Sequence, residues 1–243
     1  MNAARKILLL SGILLLTPVV MTAAAPMILL VSAEEEYKSA TTLPVFAKFL
    51  ETNYGLRCVY LEKKATNDIP GTEALERADL LIVFGRRTIL PEEQLNRFKK
   101  YFDSGKPVIG LRTASHAFQN WLVFDKLVLG GNYQNHHGKS LSPVIAIEPS
   151  AKNHPLLHNV PARFTTEGSL YKNTPLQTNT TVLLTGTIPD KPTEPVAWIH
   201  DYKGARVFYT SLGHPDDFEQ PAFRQLLVNA IFWALKQPVP EKK

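Results

Sequence analysis

Four short apolar runs in the first 111 residues narrow most sharply what this chain can fold into. They are "MILLVS" (27–32), "RCVYLE" (57–62), "DLLIVFG" (79–85) and "PVIGL" (107–111), all of strand length. "MILLVS" is apolar almost throughout, as a strand covered on both faces requires. Between the runs, residues 42–54 place Leu43, Phe46, Ala47, Phe49 and Leu50 close to helical spacing. Residues 91–104 open on Pro91, Glu92 and Glu93, which favour a helix N-terminus, and stop before Gly105. This β-α-β-α rhythm predicts an α/β fold built on a doubly wound, mostly parallel sheet.

After residue 120 the pattern changes. "SPVIAIEP" (142–149), "TTVLLTGT" (180–187), "PVAWIHDY" (195–202) and "ARVFYTSLG" (205–213) read as strands with little room for helices between them. Additional antiparallel strands are therefore expected in the second half. A closing helix between Asp217 and Lys236 gathers Phe223, Leu226, Leu227, Ala230, Ile231, Trp233 and Ala234 on one broad face, with Asp216 or Asp217 as its expected cap. "PVIGLRTASHAF" (107–118) predicts a strand passing straight into a helix, with Thr113 or Ser115 capping the turn.

A chain of 243 residues suits one large α/β domain. Its first residues have another purpose: Arg5 and Lys6 precede an uncharged run from Ile7 to Met21 and then "TAAAP", the order of a secretory signal peptide. Cleavage after Ala24 would leave 25–243 as a single periplasmic or secreted domain with no stable membrane span. The alternative is an uncleaved anchor, since the uncharged stretch continues to Ala33. The formal charge of +5 falls to +3 without Arg5 and Lys6, and the remaining cations are scattered in pairs without aromatic interleaving, which argues against a nucleic-acid partner. Cys58 is the only cysteine and sits in an apolar strand pattern, so a buried, inert thiol is expected.

In an open parallel sheet, ligands bind beyond the carboxyl ends of the strands, near the point where strand order reverses. The first strand ends in Glu34, Glu35, Glu36 and Tyr37, the third in Gly85, Arg86 and Arg87, and the fourth in Arg112, Thr113, Ser115 and His116. Carboxylates, guanidinium groups and an imidazole on one rim would suit a polar ligand with several hydroxyls. "GNYQNHHGKS" (131–140) adds His136 and His137, whose side chains point opposite ways on an extended backbone. His116, one of that pair and Glu167 form a metal-ligand set by type, although no HxH or HExxH spacing accompanies them. No cofactor is expected, and a divalent metal stays the alternative. Glu167 and Tyr171 in "TTEGSLYK" offer a carboxylate and a phenol, and "SLGHPDDF" places His214 after an apolar strand. His200 reads as a hydrogen-bonded strand residue, and His154 and His158 as surface residues.

"LLVSAEEEYKSATTLPVFAKFL", "ADLLIVFGR", "GKPVIGLRTASHAF", "NHHG", "PVAWIHDYKGARVFYTSLGH" and "FRQLLVNAIFWAL" together resemble the trehalose-utilisation (ThuA-like) family of the class I glutamine amidotransferase-like superfamily, over residues 27–236. The resemblance implies a flavodoxin-like sheet and a link to sugar catabolism, with oxidised (3-keto) glycosides as the substrate class. In the amidotransferase relatives the turn after the fourth strand carries a cysteine flanked by glycines. Here Arg112 stands at about that place, and a guanidinium that stays protonated cannot act as a nucleophile. Glutaminase chemistry is excluded on that ground.

The expectation is thus an exported protein acting on a small-molecule carbohydrate by acid–base chemistry. His116 or Glu167 would be the base. Arg86, Arg112, His136 or His137 would contact oxygens, and Glu35, Glu36, Tyr37, Tyr171 and His214 would complete the binding surface. On this reading, alanine at His116 and Arg112 abolishes turnover at little cost in melting temperature. A non-catalytic sugar-binding protein and a metal-dependent hydrolase are the alternatives, and the oligomeric state stays open.

Overall fold

Three of the four apolar runs form strands buried on both faces, and the run at 57–62 forms a mostly half-buried edge strand. The computed structural model of the chain describes residues 24–64, 68–138 and 141–241. The expected signal peptide, apart from Ala24, lies outside the described residues. β1 (Met27–Ala33) is buried along its whole length and leads into α1 (Ser39–Tyr54). β2 (Arg57–Glu62), β3 (Leu80–Gly85), α2 (Glu92–Asp103) and β4 (Val108–Leu111) follow in the expected alternation. The second half supplies β5 (Asn135–His136), β6 (Val144–Ile147), β7 (Arg163–Thr165), β8 (Tyr171–Lys172), β9 (Thr180–Thr187), β10 (Glu194–Tyr202), β11 (Ala205–Thr210) and α3 (Pro221–Ala234).

Nine strands make one sheet in the order β2-β1-β3-β4-β11-β10-β9-β6-β7. The first five are parallel and run in the order of a flavodoxin-like sheet, with β11 in the fifth place. The remaining pairings are antiparallel. β5 and β8 form a separate two-stranded antiparallel ribbon. Period-two alternation divides the core between the two faces. Ile28, Leu30, Ile82, Phe84 and Ile109 meet Leu43, Phe46 and Leu50 of α1 and Phe223, Leu227 and Ile231 of α3. Leu29, Val31, Leu81, Val83 and Val108 meet Leu95, Phe98 and Phe102 of α2. Each such buried side chain contributes about 1.5–3 kcal/mol of transfer free energy, so both faces hold the sheet in place.

Local differences from the sequence reading have physical causes. Only a single 3₁₀ turn, Arg112–His116, follows β4, and neither Thr113 nor Ser115 caps it. Side-chain packing of Ala114, Ala117 and Phe118 under the sheet replaces the expected helix. Near the C-terminus, Asp217 does not cap α3. It closes a capping box with His214 on the preceding 3₁₀ turn Pro215–Glu219, and α3 starts at Pro221, whose missing N–H suits a first helical position. Glu34 is no solvated acid: its carboxylate accepts the N–H groups of Tyr37 and Ser39 at 2.8 Å each and anchors the start of α1. His154 is half-buried; its Nδ1 accepts the Leu156 N–H and its ring packs near Trp233. Cys58 is half-buried and not buried as expected, and partial burial still pushes its thiol up to about 12. His200 bonds the Leu127 carbonyl, as a strand histidine should.

One carboxylate is buried at a cost. Asp125 accepts the Tyr133 N–H through Oδ2 at 2.7 Å, while its Oδ1 has no hydrogen-bond partner. A side chain at Gly131 would collide with that oxygen, which explains the glycine. Burial raises the Asp125 carboxyl to about 7, against backbone donation from Tyr133. A folded-state value above the unfolded one gives stability that is present at low pH and lost as pH rises toward 7. Asp125→Asn should therefore gain stability relative to the parent as pH rises from about 4 to about 7, and hold that gain above it. Thermal unfolding of both proteins across that range checks this, and a constant difference would contradict it.

Candidate functional site

The loops after β1, β3 and β4 meet at the carboxyl end of the parallel strands, where the order β2-β1-β3 reverses direction. Each carries a non-glycine residue in the left-handed region: Lys38 at φ 54°, Arg87 at φ 48° and Arg112 at φ 43°. Such conformations cost energy outside glycine and persist where surrounding contacts hold them.

Arg112 is held most firmly. It is only 1% exposed, and its guanidinium lies 4.0 Å from the centre of the Tyr37 ring and 4.9 Å from that of Tyr171. Nη1 donates to the Ser211 carbonyl at 2.7 Å and Nη2 to Ser169 Oγ at 3.3 Å, while Tyr209 donates its hydroxyl to the Arg112 carbonyl at 2.6 Å. Gly168 is required here because a Cβ would come within 2.6 Å of Nη1. Asp217 supplies nearby negative charge; it accepts from Thr166 Oγ1 and from the Gly213 and His214 N–H groups. The expected oxygen-binding Arg112 is thus enclosed and positions its neighbours.

Above it lies an aromatic cluster in which Tyr37, His116, Tyr133 and His214 are half-exposed and Tyr171 is buried. His116 stacks on Tyr133 with ring centres 4.5 Å apart and planes 21° apart, and Tyr133 lies 4.6 Å from Tyr171. Tyr37 meets His214 edge-on at 6.2 Å. Ser115 Oγ lies 3.0 Å from His116 Nδ1. Burial, then the charges of Arg87, Arg86 and Arg112, lower the His116 imidazole to about 3. It is neutral at physiological pH and a weak base. Arg86 pairs with Glu36 at 3.2 Å, and Glu36 lies 3.4 Å from the Tyr37 hydroxyl. The charge of Glu36 also reaches Tyr171, whose phenol is raised mainly by burial. Neutral imidazole, phenols and one carboxylate can donate and accept hydrogen bonds around a polar ring and polarise a carbonyl.

Other expected site residues lie apart. Glu35 has a side chain 90% exposed and faces Lys63 at 3.5 Å. Glu167 is exposed and takes the Ser142 hydroxyl at 3.2 Å. His136 and His137 have separate surroundings. His136, paired with Tyr171 across the β5–β8 ribbon, turns its Nδ1 to the His137 carbonyl, and His137 is buried 3.5 Å from Glu194. His116, His137 and Glu167 therefore form no ligand set, and the described residues hold no group of three His, Cys, Asp or Glu suited to a metal. Sequence reasoning missed Tyr133 as a site residue and left Arg87 unassigned. The Gly130-Gly131 pair before Tyr133 is a usable signal of a tight backbone approach. A cleft of about 380 Å³ lined by Asp79, Pro107, Arg206 and Lys236 lies at the opposite end of the strands, away from this chemistry.

Comparison with known proteins agrees with the fold. The chain is similar to a ThuA-like protein from Parabacteroides merdae, with a TM-score of 0.72, 18% identity and coverage of 90% of this chain and 93% of that one. It is also similar to a ThuA-like protein from Bacteroides uniformis, with a TM-score of 0.66, 20% identity and coverage of 88% and 93%. A β-galactosidase from Bacillus circulans shares the fold over 89% of this chain and 32% of its own, with a TM-score of 0.59 and 7% identity. No curated protein matches. The family described as trehalose utilisation (ThuA) matches residues 27–234, and the chain belongs to that family.

Proposed function

We propose that this protein is exported to the periplasm or beyond and binds a carbohydrate at the rim formed by Tyr37, His116, Tyr133 and His214, acting on an oxidised (3-keto) sugar or glycoside by acid–base chemistry. The single observation that carries this is the His116–Tyr133 stack, an uncharged imidazole lying flat on a phenol beside a second tyrosine, Tyr171. Apolar ring faces edged with hydroxyls suit a sugar ring, whose C–H face is apolar and whose edge is hydroxylated. In the tautomer whose Nδ1 accepts from Ser115 Oγ at 3.0 Å, His116 carries its proton on Nε2 and can donate to a ketone oxygen. This neutral histidine polarises a carbonyl without forming an imidazolium. The base is then Glu36, a carboxylate held by Arg86, in place of Glu167.

Sugar recognition without turnover is the second reading, favoured by the low basicity of His116. Both readings are tested on the mature protein with glycosides and their 3-keto forms, following binding and product separately. Product from a 3-keto form that Glu36→Gln abolishes supports chemistry. Binding without product supports recognition alone, and no binding to any sugar overturns the proposal.

Three results are expected. His116→Ala and Tyr133→Ala weaken sugar binding by about tenfold or more in calorimetry, with thermal stability largely kept. The loss of binding on His116→Ala is the same at about pH 5 and about pH 8 because His116 stays neutral there; a loss that changes across the ordinary histidine value of about 6.5 would contradict the depressed imidazole. Arg112→Ala, in contrast to the sequence expectation, destabilises the fold by about 2–5 kcal/mol in denaturant unfolding, since it strands the Ser211 carbonyl and leaves a cavity between Tyr37 and Tyr171.

A further inference from the structure

The charges of the rim do not cancel. Arg86 is matched by Glu36 at 3.2 Å, and Arg112 is enclosed with Asp217 nearby. Among the described residues, Arg87 makes no ion pair with any carboxylate, and it is exposed. Its place is fixed by the backbone rather than by a partner. The Arg87 N–H donates to the His116 carbonyl at 2.7 Å, the Thr88 N–H donates to the Ala117 carbonyl at 2.7 Å, and Thr88 bridges to Phe118. The left-handed φ of 48° at Arg87 turns the chain at this point. The residue is thereby stitched to the loop that carries the His116–Tyr133 stack, and its charge acts on both of those rings. An exposed guanidinium with no ion-pair partner among the described residues, carried on a backbone tied to the loop of an aromatic platform, is a receptor for one negative charge, and its planar fork of donors suits a carboxylate.

We propose that the sugar taken by this site is an acidic one, a uronic or aldonic acid or a glycoside of one, whose carboxylate is received by Arg87 while its ring lies against Tyr133 and His116. The inference rests on the reading of the rim as a carbohydrate site and adds the charge of its ligand. A keto group elsewhere on the ring remains compatible, because the carboxylate serves binding and takes no part in bond making.

Calorimetry of residues 25–243 with D-glucuronate, D-gluconate, D-glucuronamide and methyl β-D-glucoside tests the charge directly. Glucuronate should bind at least about tenfold more tightly than its uncharged amide, and added salt should weaken the acids while leaving the neutral sugars nearly unchanged. Arg87→Gln should erase the preference for the acid and leave the neutral sugars within about twofold, whereas Arg57→Gln, at the start of β2, should leave the preference intact. Equal affinity for glucuronate and glucuronamide overturns the inference but leaves the carbohydrate reading standing. Arg87→Gln weakening acid and amide alike also overturns it. Failure of all four ligands to bind overturns both.

Discussion

Everything at the carboxyl end of this sheet depends on the burial of one guanidinium. A charged group taken out of water costs several kcal/mol unless its donors and its charge are answered inside. Arg112 is answered by two tyrosine faces, a serine carbonyl, a serine hydroxyl and the charge of Asp217. The partners come from the loop after β1, the stretch leading into β8, the end of β11 and the turn before α3. One side chain therefore fixes four separate segments, with Tyr37 at the rim and Tyr171 buried beneath it as the two walls of the arginine. The Nε that lacks a hydrogen bond is the residual cost of the arrangement.

The same enclosure shapes the electrostatics. Three arginines act on a partly buried imidazole whose Nδ1 lies 3.0 Å from a serine hydroxyl. A histidine in that position can give or take a hydrogen bond without gaining charge, which separates it from the usual histidine base. In the proposed acid–base chemistry the proton acceptor is Glu36, a carboxylate joined to the cluster through Arg86 and the Tyr37 hydroxyl.

Much of the architecture was legible because both faces of the parallel half are covered. An unbroken apolar run such as Ile28, Leu29, Leu30 and Val31 has no other use in a chain of this composition, so β1, β3 and β4 could be placed, and the rim with them. What stayed hidden were features set by distant contacts. Nothing local marks Arg112 as buried, since its partners lie about a hundred residues away at Ser211 and Tyr209. Tyr133 enters the site through its tie to Asp125, so the neighbouring histidines look more important than they are. In "TTEGS" the informative residue is Gly168, which makes room for the guanidinium, and not the more conspicuous Glu167.

The register of β4 against β11, with Val108 beside Val207 and Leu111 beside Thr210, has a consequence for biogenesis. The fifth parallel strand arrives almost a hundred residues after the fourth, so a chain emerging from the ribosome carries the Arg112 turn long before its counterpart exists. Pairings of such separation form slowly because a long loop must close first. Until α3 has been made and has docked, the growing polypeptide holds an open sheet edge and an unanswered cation, a stage at which a holding chaperone would find its natural client.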